Sequence, residues 1–259
     1  MQLNTNLREF LFRIWYWYVN KVDKNAEILF MNYGYSDKDQ ELPMDGQNEP
    51  NRYSIQLYHH LTSATEIKNK DIVEIGCGRG GGLSYVTRNF SPASAKGVDL
   101  DTLAVSFCKS HYTLDGLSFL NGNAQDLCLK NNICDIVINV ESSHRYSDMS
   151  SFLREVSRIL RPKGYFLFTD FRYDHEMEDM KKSLKMSGMS VLKEKIINEE
   201  VVAALALDDE RKRKLVKKLV PRLLHKIALN FAGTIGSETY NQFASRKYVY
   251  FSYVLQKNY

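Results

Sequence analysis

Residues 71–82 read DIVEIGCGRGGG, an apolar run of strand length that passes directly into five glycines between Gly76 and Gly82. Such glycines let backbone approach a ligand closely while a helix starts behind them, which is the build of a nucleotide-type cofactor site. Working outward, strand-like runs at Ala95–Leu100, Leu117–Gly122, Asp135–Val140 and Tyr165–Asp170 alternate with helical spacing at Leu83–Phe90, Thr102–Tyr112 and Met149–Leu160. This alternation predicts a parallel sheet covered by helices. Pro162 and Gly164 in LRPKG stop the helix and turn the chain into the fifth strand.

After Asp170 the rhythm changes. A charged helix over His175–Ser187 leads to a sixth strand at Ser190–Ile197, and Lys247–Gln256 resumes alternating β-branched and aromatic residues as a seventh. Residues 198–246 between them form a helical insertion. Upstream of a helix over Asn51–Thr65, residues 1–50 form an N-terminal helix and lid segment, and 51–259 the main domain.

The chain has 259 residues, 44% hydrophobic, with 35 basic against 31 acidic residues. That composition supports a large buried core, and a net +4 gives no support to a nucleic-acid partner. Cys77, Cys108, Cys128 and Cys134 form no CxxC pair and have no spaced histidines for zinc, so reduced thiols in a cytoplasmic protein are expected. The aromatic stretch Phe10–Val19 is interrupted by Arg13 and is shorter than the ~20 residues of a membrane-spanning helix. It reads as a helix packed on the domain or lying on a membrane surface.

Gly76, Gly78 and Gly80 are the expected backbone contacts to the cofactor, although Gly76, Gly78 and Gly81 also satisfy GxGxxG and leave a dinucleotide open. Glu74 favours a ligand with a cationic amino group, as in a methionine moiety, because a pyrophosphate is repelled there. Asp99, followed by Leu100, is placed to accept from both ribose hydroxyls, the alternative being a helix cap before Thr102. Asn123, Ala124 and Gln125 stand where an adenine ring is held, unless Asn123 bonds only its own turn. Asn139 at the end of the fourth strand is counted with them.

The glycine turn, KGVDL, NGNAQDL, the Asp135–Val140 strand and SRILRPKGYFLFTD, in this order over residues 52–175, resemble class I S-adenosylmethionine-dependent methyltransferases. LFMNYGY, EPNRYSIQLYHHL, GCGRGGGLSYVTR and INVESSHRY are similar to the phthiotriol and phenolphthiotriol dimycocerosate O-methyltransferase type. The resemblance implies a Rossmann-like α/β fold with a seven-stranded, mostly parallel sheet and a helical lid insertion. It implies S-adenosyl-L-methionine as cofactor, S-adenosyl-L-homocysteine as product, and an apolar hydroxyl acceptor.

Four residues past the fourth strand, His144 suits a general base, with an ordinary pKa near ~6.5. Asp170 ends the fifth strand at the same edge and orients it or bonds the acceptor; a loop histidine and a structural carboxylate are the plainer readings. Similar sugar O-methyltransferases use the corresponding pair. Glu141, His144 and Asp170 form a weaker alternative, a magnesium site that is not favoured. Tyr33 and Tyr35 are expected to close over the cofactor or to join the aromatic core.

RKRKLVKKLVPRLLHK, residues 211–226, carries an apolar stripe opposite clustered cations, with Pro221 ending or kinking its first helix. It reads as a lid helix with a solvated face, or as a contact to a membrane or an acidic carrier protein. Self-association is left open. Three rival classes stand beside the methyltransferase. An NAD-linked oxidoreductase lacks a second mononucleotide half. A nucleic-acid methyltransferase lacks NPPY, the fourth strand ending in Asn139, Val140 and Glu141. The third is a cofactor-binding cyclase or non-methylating homologue, and C- or N-methylation is a further alternative within the class.

Overall fold

A computed structural model describes residues 21–23, 25–37, 42–46 and 48–259. The helix expected over Phe10–Val19 therefore lies outside the described residues. Nine helices are found among the described residues: α1 Arg52–Thr62, α2 Gly81–Phe90, α3 Thr102–His111, α4 Met149–Ile159, α5 Met177–Met186, α6 Asn198–Leu207, α7 Asp209–Leu219, α8 His225–Phe231 and α9 Glu238–Ala244. The strands are β1 Asp71–Ile75, β2 Ser94–Asp99, β3 Leu117–Asn121, β4 Cys134–Val140, β5 Leu160–Tyr173, β6 Met189–Ile196 and β7 Tyr248–Lys257.

They form one sheet in the order β3-β2-β1-β4-β5-β7-β6. β1 to β5 are mutually parallel, and β7 runs antiparallel to both neighbours, β5 and β6. Two faces follow from the two-residue period of a strand. Ile72, Ile136 and Ile138 pack with Leu57 and Leu61 of α1, Leu83 and Val86 of α2 and Val201 of α6. The alternate residues Val73, Ile75 and Val137 pack with Phe152 and Val156 of α4 and Met180 of α5. The outcome is a three-layer sandwich whose central strands are apolar on both sides. The edge strand β6 differs: it is exposed from Ser190 to Ile196, and its Lys193, Glu194 and Lys195 discourage pairing with another sheet edge.

The order reverses between β1 and β4, so the carboxyl ends of these strands flank a crevice where open α/β sheets hold ligands. β5 is longer than the sequence suggests. Leu160 already pairs with Cys134, and a register shift before Tyr165 absorbs Pro162 and Gly164 inside the strand. Asp170 thus sits within β5, opposite Phe251, rather than at its end. The insertion between β6 and β7 is helical throughout its ordered elements, α6 to α9.

Candidate active site

Behind the glycine turn, Gly80 has φ +75, and a Cβ there would press on Cys108, Phe119 and Tyr112. It is glycine for packing and for turning the chain into α2. Gly82 lies against the ring of Tyr58, closer than any Cβ would allow. That ring reaches beneath β1, where the Tyr58 hydroxyl donates to Glu74 Oε1 at 2.6 Å. Glu74 is fully buried, and its Oε2 has no hydrogen-bond partner among the described residues.

A cavity of ≈ 610 Å³ opens over the crevice, with Gly76, Gly78, Asp99, Leu100, Asn123 and Gln125 in its wall. Asp99 accepts from Gly78 N–H at 2.7 Å and Asp101 N–H at 2.9 Å, which ties the glycine turn to the end of β2. The capping role is filled by Asp101, whose carboxylate accepts from Leu103 N–H at 2.8 Å. Asn123 bonds its own turn, its Oδ1 accepting from Gln125 N–H at 3.0 Å. Gln125 Oε1 in turn accepts from the Ser147 hydroxyl and from Asp148 N–H, so it also braces the loop after β4.

The structure does not bring all the expected cofactor residues to this wall. Leu100 and Ala124 line it, but Gly80, Glu74 and Asn139 lie behind it. Asn139 is a strut: fully buried, it donates to Ile75 O at 2.8 Å and to Ser142 at 2.7 Å. Tyr33 lines a second chamber, and its ring packs edge-on against Phe171 and Phe243. Tyr35 stacks on His60 in the core. The segment that does roof the cofactor cavity is Leu29–Asn32.

The second chamber, ≈ 150 Å³, shares Phe30, Met31, Asn32, Glu141 and Arg145 with the first. Leu215, Val216, Leu219 and Val220 of the lid face it from one side, and His144 and Phe171 from another. His144 lies in a short 3₁₀ turn, Ser143–Arg145, after β4. Its Nδ1 is 2.7 Å from Asp170 Oδ1. Asp170 is fully buried and also accepts from Ser143 Oγ at 2.6 Å and from the N–H groups of His144 and Phe171, with Arg172 at 3.3 Å. Burial alone would raise its pKa, but His144, Arg172 and these donors outweigh it and hold the carboxyl well below its usual range. An ionised carboxylate only accepts, so Nδ1 carries the proton and Nε2 presents its lone pair. Arg145 Nε donates to that lone pair at 3.3 Å. Burial lowers the His144 pKa against the pull of Asp170, keeping the ring neutral.

Several partnerships at the site leave no local signal in the sequence, which offers Glu141 only as part of the unfavoured magnesium site. Glu141, at φ +45, accepts from Tyr33 N–H at 2.7 Å and from the Tyr250 hydroxyl, and burial pushes it up to about 8. Lys212 faces the same chamber from α7, its pKa pulled down to about 8, chiefly by burial. Asp23 joins Arg79 in a buried ion pair that fastens the N-terminal segment to the glycine turn. Only the aromatic alternation of β7 hinted at Tyr250; the partners are far apart in sequence. Among the described residues no group of three or more His, Cys, Asp or Glu is placed to hold a metal, and the carboxylates of Glu141 and Asp170 are turned to different partners.

A family model described as a methyltransferase domain matches residues 73–168. A fatty-acid O-methyltransferase of Mycolicibacterium smegmatis is 38% identical over 86% of this chain and 82% of its own. The phthiotriol/phenolphthiotriol dimycocerosates methyltransferase of Mycobacterium tuberculosis is 36% identical over 87% of this chain and 85% of its own. The chain belongs to the class I S-adenosylmethionine-dependent methyltransferases. The crystallised cyclase SpnF shares the methyltransferase fold at a TM-score of 0.70, with 14% identity over 96% of this chain and 95% of that one. The residues present fit the methyltransferase cofactor: Asp99 would meet the ribose and Asn123 to Gln125 the adenine side from the cavity wall, while buried Glu74, with one unpartnered oxygen, lies behind the glycine turn.

Glu74 gives this methyltransferase a pH-dependent stability. Burial, with the charge of Asp99 added and the Tyr58 hydrogen bond opposing, pushes its carboxyl from 4.5 to about 8. A carboxyl raised in the fold takes up a proton on folding, so its contribution is full below the ordinary value and is lost as pH rises through about 8. In the cofactor-free protein, Glu74→Gln mimics the neutral acid. Its unfolding midpoint should fall a few degrees less than that of the wild type between neutral and mildly alkaline pH. Parallel curves from calorimetry would overturn this.

Proposed function

We propose that the protein methylates a hydroxyl oxygen of an apolar, lipid-like small molecule, with His144 as the base. The observation that carries this is His144, in the wall of an apolar chamber that adjoins the cofactor cavity, held from behind by the fully buried Asp170. The relatives' names, fatty-acid and phthiotriol dimycocerosates, support a lipid-like acceptor. S-adenosylmethionine, held along the wall of Gly76, Gly78, Asp99 and Asn123, would supply an electrophilic methyl group and the neutral thioether leaving group, S-adenosylhomocysteine.

The chain's own part is alignment, desolvation and proton transfer. Leu215, Leu219 and Phe171 exclude water from the acceptor. His144 Nε2 takes the hydroxyl proton once the acceptor displaces the Arg145 contact, and Asp170 holds the ring in the productive tautomer. A carboxylic-acid acceptor is the second reading, favoured by Arg145 and Lys212 at the same chamber; it is already ionised and needs no base.

A pH–rate profile with a long-chain alcohol tests the first reading. His144 works neutral, and burial lowers its pKa, so kcat/KM is lost as pH falls through a value below ~6.5. The acid limb should lie there and vanish in His144→Gln. A limb at or above ~6.5, or one unchanged in the variant, sinks the assignment.

A further inference from the structure

The apolar stripe of residues 211–226 is divided by the structure at Pro221. Leu215, Val216, Leu219 and Val220 turn inward and line the second chamber. Beyond Pro221 the chain makes a 3₁₀ turn, Arg222–Leu224, and enters α8. At this tip Leu223 is 96% exposed, with Leu224 at 43% and Ile227 at 41%. Lys217, Arg222 and Lys226 beside them are exposed and have no ion-pair partner among the described residues, whereas Lys214 and Lys218 are held by Glu210 and Glu27. No acidic residue occurs from Arg211 to Ser237.

We propose that this tip inserts into the anionic phospholipid surface of a bilayer, from which an apolar ligand enters the chamber beneath. Projecting apolar side chains ringed by unpaired cations match the lipid interface in both its parts, the acyl boundary and the negative headgroups. The apolar patch is only one turn long. A partner helix or groove would instead meet a row at i, i+3, i+4 and i+7. Continuity adds direction: Leu219 and Val220, which line the chamber, immediately precede the tip. The proposal does not depend on which atom is methylated.

The test is co-sedimentation of the full chain with vesicles of phosphatidylcholine alone and of phosphatidylcholine with phosphatidylglycerol, without turnover. Wild type should partition onto the anionic vesicles only, and less so as salt is raised. Two variants separate the contributions: Leu223→Ser with Leu224→Ser and Ile227→Ser, and Lys217→Glu with Arg222→Glu and Lys226→Glu. Each should lose at least about tenfold in partitioning while keeping the wild-type affinity for S-adenosylhomocysteine, since none of these residues lines either cavity. Absence of binding to both vesicles overturns the proposal. So does equal binding by wild type and both variants, or capture by an acidic carrier protein without vesicle binding.

Discussion

Replacing His144 with alanine should lower kcat toward a hydroxyl acceptor by about 10²- to 10⁴-fold, the range a positioned general base supplies. Its affinity for S-adenosylhomocysteine should stay within about twofold, because His144 lines the acceptor chamber and not the cofactor cavity. Asp170→Asn should approach the same loss, since Arg172 and the His144 N–H claim the amide oxygen and turn its NH2 toward Nδ1, favouring the wrong tautomer. The two changes together should cost little more than His144→Ala alone, because Asp170 acts through the ring. Stopped assays on purified variants with one long-chain alcohol, alongside calorimetric cofactor titrations, read all four values. Retained turnover in His144→Ala discards the base. If turnover is retained only for a carboxylic acid, the second reading takes its place.

The Asp170 variant carries a structural cost that His144→Ala does not. Its carboxylate is fully buried and gathers His144, Ser143, Arg172 and two backbone N–H groups. Removing the negative partner leaves the Arg172 charge against neutral surroundings. Folding of this variant therefore has to be checked before its kinetics are interpreted.

Strand positions were legible because the central parallel strands are apolar on both faces, and the edge strand β3 is an apolar run bounded by turn residues. β1, β2, β3 and β4 lie within a residue or so of the runs seen in the sequence. β5 was not, since Pro162 and Gly164 argue locally for a turn, and only pairing of Leu160 with Cys134 pulls them into the sheet. The glycine turn was legible as a motif, but the roles of its members were not. Gly80 and Gly82 are fixed by contacts to α1, α3 and β3, which no local spacing encodes.

The site divides along the same line. Asp99 ends β2, His144 follows β4 and Asp170 lies near the carboxyl end of β5, so topology turns all three toward one edge of the sheet. For Tyr33 an aromatic beside a glycine suits a roof and a core equally well, and the residues that claim its ring, Phe171 and Phe243, are distant in sequence. The same distance hid Tyr58 beneath Glu74 and Tyr250 beside Glu141.

Asp99→Ala should raise the dissociation constant for S-adenosylhomocysteine by about 10²- to 10⁴-fold. Both carboxylate oxygens already accept one backbone N–H, from Gly78 and Asp101, and each keeps a further lone pair toward the cavity. Two ribose hydroxyls donating there form charge-assisted bonds of roughly 1.5–3 kcal/mol each, and alanine removes both together with the anchor of the glycine turn. Asp101→Ala provides the control. Asp101 caps α3 and also borders the cavity, so its loss should cost about 1 kcal/mol of stability and weaken the ligand much less than Asp99→Ala does. Calorimetric titration and thermal unfolding of the two variants separate the roles. If Asp101→Ala weakens the ligand as much as Asp99→Ala does, the carboxylate of Asp99 holds the loop rather than the ribose.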